Sequence, residues 1–404
     1  MNKNKMLKGA CIAAAVTMLS PLATAEEASW NISGWINEGM LYWDDGVNSD
    51  VDQLSDNGTT LGSRITLSGS TPLAGTGLNA GFEVILEPQS KATALISANQ
   101  TNLGNGGGNS NNDTLGGGVG VLGTSVNVGG AFGKVTFGLQ SMPTDNIAVL
   151  GEPSLTLWSG IGPVFRGNGF QVQGAAAGTV WGDFLSCYTS NELVGAGGIG
   201  LDCNGIYRNG VRYDLPAFGP VSIAVGYAND DILDIAVKYS GTIGGMTANV
   251  HGGYAMNANG GALVGATDGS DNFQIQVGLM DPNTGLFGSI AYQRETADGV
   301  AANVNDETDS YWTKMGIKKN WVGFGDTSIS FDYGQYNDQF SSARDLTGSE
   351  VQRWGFSVDQ YFGSNLIIYG KYENLSLDVE GNDAALYNGG EDLDTFTLGL
   401  TYFF

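Results

Sequence analysis

The chain has 404 residues, including 64 glycines; aromatics make up 10% and charged residues only 14%, well below the roughly 25% usual in soluble domains. Acids outnumber bases 41 to 17, for a net charge of −24, which excludes nucleic acid as a partner because phosphate binding needs a basic face. Low charge with 42% apolar residues also argues against disorder.

In chain order, the first element is an export signal. Lys3, Lys5 and Lys8 form a basic segment, "GACIAAAVTMLSPLA" a short apolar core, and Ala23-Thr24-Ala25 a small-x-small cleavage site, so residues 1–25 read as a cleaved signal peptide. The apolar core is shorter than the roughly 20 residues of a spanning helix. Lys8 stands where a lipoprotein signal leading to Cys11 would need an aliphatic residue. Removing the three lysines takes the net charge from −24 to −27. Cys187 and Cys203 are then the only cysteines of the exported chain, and in an oxidising compartment they read as one loop disulfide, the alternative being two free buried thiols. With His251 as the single histidine no metal site is expected, and no cofactor is called for.

From Glu26 onward the pattern is period two. In "VSIAVGY", Val221, Ile223, Val225 and Tyr227 alternate with Ser222, Ala224 and Gly226; "NFQIQVGL" and "TSISFDY" repeat the scheme. Such alternation marks strands with one apolar and one polar or small face. It predicts sixteen strands, over 29–43, 60–71, 80–90, 119–128, 133–141, 207–216, 220–229, 233–243, 246–256, 271–281, 285–295, 310–320, 325–336, 350–362, 364–377 and 392–404. Short links such as "AFGP" and "IGG" take turns with long ones such as "DDGVNSDVDQLSDNGTT". The exception is a brief link near Asp230 and Asp231 where a long one is due. Short turns on one rim and long loops on the other mark a transmembrane antiparallel up-and-down β-barrel over residues 26–404. A soluble sandwich would use strands of about 5–6 residues. Lipid tolerates no open sheet edge, so the sheet must close, and a barrel of about 16 strands leaves an aqueous channel.

The third long connection, 142–206, is predicted to fold into the lumen as a constriction loop, because sixty residues of loop in a compact protein need a function. Strand parity turns Arg64, Glu83, Glu87, Arg208, Arg212 and Asp214 inward, followed by Lys238, Lys314, Asp332, Arg353, Lys371 and Glu373. Most of these read as solvated wall residues. The candidates for the narrowest zone, where charged rings filter solutes, are Arg64, Glu83, Arg208 and Arg212 on the wall with Asp145, Glu152 and Arg166 from the loop. Glu38 breaks the pattern by sharing parity with Ile32, Ile36 and Met40. A carboxylate facing acyl chains is costly, so either the register shifts at Gly39 or a neighbouring subunit covers Glu38; the second is the expectation. The final strand, "LDTFTLGLTYFF", places Phe396, Leu398, Leu400, Tyr402 and Phe404 on the lipid face and must pair with the first strand.

These features resemble the Gram-negative general porins. The resemblance spans the mature chain, through "ISGWINEG…YWDDG", "GSRITLSG", "GLNAGFEVILE", "AFGKVTFGLQSMPTD", "NGVRYDLPAFGPVSIAVGY" and the aromatic-terminated last strand. It implies a homotrimer in the outer membrane, in contact with lipid and lipopolysaccharide, passing ions and small hydrophilic solutes. It also implies a third loop folded inward opposite a basic wall cluster, with Arg64 and Arg212 on the wall and Asp145 and Glu152 in the loop. Phe404 would be the residue read by the barrel assembly machinery. The long, Gly-rich loop departs from the pattern. The acidic surplus predicts a preference for cations, and the outer-loop acids Asp44, Asp45, Asp50, Asp52 and Asp56 are candidates for binding divalent ions that bridge lipopolysaccharide.

Other functions fit less well. A barrel enzyme needs a nucleophile beside a base, and His251 lies on the polar parity of "MTANVHGGY" as a wall residue. A calcium-binding surface protein would need repeated G-G-x-G-x-D units, whereas "LGNGGGNSNNDTLGGG" is one irregular run. A substrate-specific porin of the same fold is the runner-up.

Overall fold

The computed structural model describes residues 28–54, 62–89, 117–156, 169–185, 187, 200–203, 207–258, 269–299, 305–339 and 346–404. The signal segment therefore lies outside the described residues. The strands are β1 (Ser29–Asp44), β2 (Ser49–Leu54), β3 (Arg64–Leu73), β4 (Leu78–Gln89), β5 (Gly117–Gly130), β6 (Gly133–Ser141), β7 (Tyr207–Asp214), β8 (Val221–Ala228) and β9 (Ile232–Ile243). They continue with β10 (Met246–Asn257), β11 (Gly269–Met280), β12 (Leu286–Asp298), β13 (Glu307–Lys319), β14 (Thr327–Asn337), β15 (Leu346–Phe362), β16 (Leu366–Gly381) and β17 (Leu393–Phe403).

Each strand pairs antiparallel with its neighbours in one sheet. The sheet closes where β1 meets β17, in unbroken register from Trp35↔Phe403 to Asp44↔Asp394. The other edge of β1 is shared: its first half pairs with β3, its second half with β2. β2 and β3 thus occupy one position, and the seventeen strands make a sixteen-position wall. β2 corrects the sequence expectation, which left 49–54 in a loop. "SDVDQL" carries two acids and little alternation; it is a strand because β1 overhangs and offers it an edge.

The two faces separate as the period predicts. Ile235, Val237, Ile290, Met315, Phe331, Phe356, Leu398 and Leu400 stand exposed on the outside, where lipid is their solvent. Exposed aromatics collect near the short-turn rim at Trp30, Phe132, Phe218, Trp321, Phe324 and Phe404. A second set, Phe273–Tyr292–Tyr311 and Trp354–Tyr372, runs toward the other rim. Two such girdles bound the apolar band of a membrane barrel. The short-turn rim is built by links as tight as Gly244-Gly245, where φ is +59° and +86°; that pair of left-handed positions makes the two-residue hairpin turn that only Gly and a few polar residues enter readily.

Candidate pore and its constriction

From Met142 the chain leaves the wall and runs across the inside of the barrel. The wall is cut to receive it. On the inner faces of β8, β10 and β11, Gly226, Gly253 and Gly278 have no side chain where Pro143, Thr144 and Pro153 lie. An added Cβ would meet these residues at 2.8, 2.7 and 2.5 Å respectively. Polar contacts then pin the segment to the wall. Thr144 donates from its amide (3.0 Å) and its hydroxyl (2.8 Å) to Asp234, and the Gly151 amide donates to Gln276. Lys314 and Lys318 donate to the carbonyls of Thr156 (3.0 Å) and Ser154 (2.7 Å).

Further on, the loop carries its own apolar core into the lumen. Phe170, Val172, Trp181, Phe184, Leu185 and Leu201 are buried against Leu41 and Trp43 of β1, Trp312 of β13, Tyr336 of β14, Val351 of β15, Leu375 and Val379 of β16 and Leu393 of β17. The Cys187–Cys203 disulfide is formed and docked on the wall: the Cys203 amide donates to Gln293 at 3.0 Å. Gln293, Ser310 and Gln339 all donate to the Gly200 carbonyl, at 2.6, 3.2 and 2.8 Å.

The lumen beside β12–β17 is therefore filled, which corrects the expectation of a solvated charged wall there. Lys314, Asp332, Arg353, Lys371 and Glu373 do face inward, yet none is more than 1% exposed. Asp332, Arg353, Lys371 and Glu373 form a closed quartet, with Arg353–Asp332 at 2.6 Å, Lys371–Glu373 at 2.7 Å, Arg353–Glu373 at 3.4 Å and Lys371–Asp332 at 3.5 Å.

The open side lies against β3–β7, where Ser68, Glu83, Asn127, Tyr207 and Arg212 stay partly accessible while Ile85, Ser125, Thr136, Gln140 and Arg208 are buried. A cavity of about 470 Å³ there is lined by Ser68, Glu83, Ser125, Asn127, Tyr207 and Arg212, among others. Its wall charges are interleaved. Arg64 donates to Glu87 at 2.8 Å and sits over the Trp35 ring at 4.4 Å. Arg212 donates from Nε and Nη2 to one Asp214 oxygen (2.9 and 2.7 Å) and from Nη1 to the Ser141 carbonyl (3.2 Å). Lys134 lies 3.7 Å from Asp214. Lys134 escaped the sequence reading, although its parity with Thr136, against Val135 and Phe137, marks it as inward.

The predicted site residues divide accordingly. Arg64, Glu83 and Arg212 line or flank the open side, and Arg208 is buried on the same inner face. Asp145 is held at the loop's start, accepting from Ser141 Oγ and Asn146 Nδ2, both at 2.5 Å. Burial pushes its carboxyl above the usual range, against the opposing pull of the Ser141 hydrogen bond and of the charges on Lys238, Arg64 and Arg212. Asp202, which accepts the Asn146 amide at 2.9 Å, is pushed up further by burial and by the Asp145 charge. Glu152 is elsewhere. It accepts from the amides of Ser154 (2.5 Å) and Thr156 (3.3 Å) and faces Lys314 at 3.6 Å, so it braces the loop against β13. Arg166 lies outside the described residues. Glu38 is exposed on the outer face opposite Leu400; the register is continuous through Gly39, which removes the register-shift explanation.

Of the outer-loop acids, Asp56 lies outside the described residues. Asp45 is buried, accepting from the amides of Val47 and Asn48 and from Gln173, and Asp52 accepts from the Trp43 indole at 2.9 Å; these acids are occupied in holding the outer rim together. His251 is buried in the wall with Nε2 3.5 Å from Ser240 Oγ.

A closed sixteen-position barrel, lipid-facing outside and narrowed by an inserted loop, defines an outer-membrane diffusion channel. The family is shown by sequence: residues 10–381 match the model of the Gram-negative porins, and the chain belongs to that family. Among solved structures it is similar to an anion-selective porin from Comamonas acidovorans, with 18% identity over 94% of this chain and 100% of that one and a TM-score of 0.58. It is similar also to a loop-L8 deletion mutant of OmpT, an outer-membrane protein of Vibrio cholerae (12%, 94% and 100%, TM-score 0.55), and to Salmonella typhi OmpF in complex with daunomycin (13%, 93% and 97%, TM-score 0.54). At these identities the likeness carries the fold. A search of curated protein sequences finds no match. Family and fold together indicate a channel rather than an enzyme.

Proposed function

We propose that this porin passes small hydrophilic solutes along the β3–β7 wall and prefers cations to anions, although one similar structure is of an anion-selective porin. The observation that carries the reading is the engagement of Arg64, Arg212 and Lys134 by wall carboxylates. Arg64 is matched by Glu87, and Arg212 and Lys134 share Asp214, while Glu83 makes no ion pair among the described residues. The chain as a whole has a large acidic surplus. The test is the reversal potential of single channels in a KCl gradient. A sign set by potassium supports the reading; a zero or chloride-determined potential refutes the preference. A substrate-specific porin is the second reading, favoured by the filling of one side of the lumen. Block of ohmic current by one class of solute would select it.

The remaining assignments are part of the same proposal. Arg64, Glu83, Arg208 and Arg212 act at the narrow zone with Asp145, Glu152 and Arg166 of the loop, Glu152 through its hold on the loop. Glu38 is a subunit contact. Self-association is supported by the trimer form of OmpT from Vibrio cholerae. Crosslinking in mild detergent is expected to give a discrete trimer, and a strictly monomeric barrel overturns the assignment. Residues 1–25 direct export, and lipopolysaccharide surrounds the outer rim. Phe404, whose backbone exchanges hydrogen bonds with Gly34 (3.1 and 3.2 Å), is the assembly signal. Its deletion is expected to lower the amount of assembled barrel and leave inserted channels conducting as before.

A further inference from the structure

One group of polar side chains on the open wall is left uncommitted. Glu83 of β4 is flanked in register by Ser68 of β3 and Ser125 of β5, all on the inner face. Directly cross-strand positions bring Cβ atoms to about 5 Å, so the carboxylate stands between two hydroxyls. Asn127, two residues along β5 on the same face, lines the same cavity. None of these four side chains makes a hydrogen bond or ion pair to another described residue. The nearby cations, by contrast, are occupied: Arg212 by Asp214 and the Ser141 carbonyl, Arg64 by Glu87.

We propose that Glu83, with Ser68, Ser125 and Asn127, forms a binding step for the protonated amine of a small hydroxylated solute. The donor and acceptor inventory selects this class. An ammonium offers three donors and no acceptor, which suits one carboxylate between neutral hydroxyl and amide oxygens. A divalent metal needs several carboxylate or carbonyl oxygens at once, and Glu83 is the one carboxylate of the group. A phosphate or carboxylate solute is repelled by Glu83 and finds Arg64 and Arg212 already bound to Glu87 and Asp214. The cavity of about 470 Å³ holds a whole sugar-sized molecule, so hydroxyls left over from the amine contact have Thr136 and Ser70, which line the same space.

The proposal rests on the β3–β7 side being the solute path. It is tested on single channels of the full protein in planar bilayers, by current interruptions from glucosamine, glucose and N-acetylglucosamine at equal concentration below neutral pH. Glucosamine is expected to dwell about five-fold longer than the two neutral sugars, the scale of one partly screened charge contact. Glu83→Gln is expected to bring its dwell time down to theirs, and the Ser68→Ala/Ser125→Ala pair to shorten it while keeping it above theirs. Equal dwell times for all three sugars in the wild type, or a glucosamine preference that survives Glu83→Gln, overturns the proposal. The reversal potential judges the cation preference separately: a chloride-determined potential with Glu83-dependent glucosamine block sinks the preference and leaves the subsite standing.

Discussion

Consider Asp332→Asn in the buried quartet. Asp332 contacts Arg353 at 2.6 Å and Lys371 at 3.5 Å, and all four members are essentially without solvent. The substitution leaves two cations facing Glu373 alone. A charge pair at such distances is worth about 4 kcal/mol at an effective dielectric of about 20, and orphaning one buried partner costs about 3–5 kcal/mol. Lys371→Met is expected to cost a similar amount for the opposite reason. The double variant retains Arg353 beside Glu373 at 3.4 Å, with no net charge left over, and is expected to lose only about 1–2 kcal/mol because a neutral replacement of a buried pair is often tolerated. Urea unfolding of vesicle-refolded protein, followed by tryptophan fluorescence, measures all three. If the double variant loses the sum of the two single losses to within about 0.5 kcal/mol, the charges are independent and hydrated, and the filled side of the lumen is wrongly described.

Three further outcomes follow from the loop. Replacing Cys187 and Cys203 by Ser removes a link across a sequence separation of 16, worth about 3 kcal/mol by chain entropy; faster proteolysis of the loop and noisier single-channel current are expected. Asp202 has its carboxyl raised by burial and by the Asp145 charge, so the neutral form is the one the docked loop favours. Docking is then strongest in acid and weakens as pH rises from the ordinary carboxylate value through the raised one; Asp202→Asn should blunt that dependence in a protease-protection series from about pH 4 to about pH 8. Gly278→Val places a branched side chain where the Gly151 carbonyl and Pro153 lie 2.5 Å from an added Cβ. The loop must shift, and a conductance equal to that of the wild type would show that the groove does not seat it.

The wall was legible because lipid and water impose period two, and the parity of Arg64, Glu83, Arg212 and Glu38 follows from it. The lumen was less legible. Leu375 and Val379 are apolar at inward parity, a signal whose meaning depends on what lies opposite, and Phe170, Trp181 and Phe184 reach them from a segment without periodicity. The path of that segment is fixed by missing side chains at Gly226, Gly253 and Gly278, and glycine in a strand has several other uses. That is why Glu152, grouped by sign with Asp145, braces β13 at Lys314 rather than facing Arg64. β2 was missed because its partner edge comes from the overhang of β1.

The filled side has a consequence for how the sequence can change. Inner-face positions on β12–β17 lie under a packed layer, so a substitution there meets the volume and charge constraints of a globular interior. Inner-face positions on β3–β5 such as Arg64, Ser68, Glu83 and Asn127 keep partial access to the lumen. One barrel thus holds two regimes of tolerated variation. The accessible wall is free to exchange polar residues and retune what passes, while the covered wall and the loop above it can drift only as matched pairs.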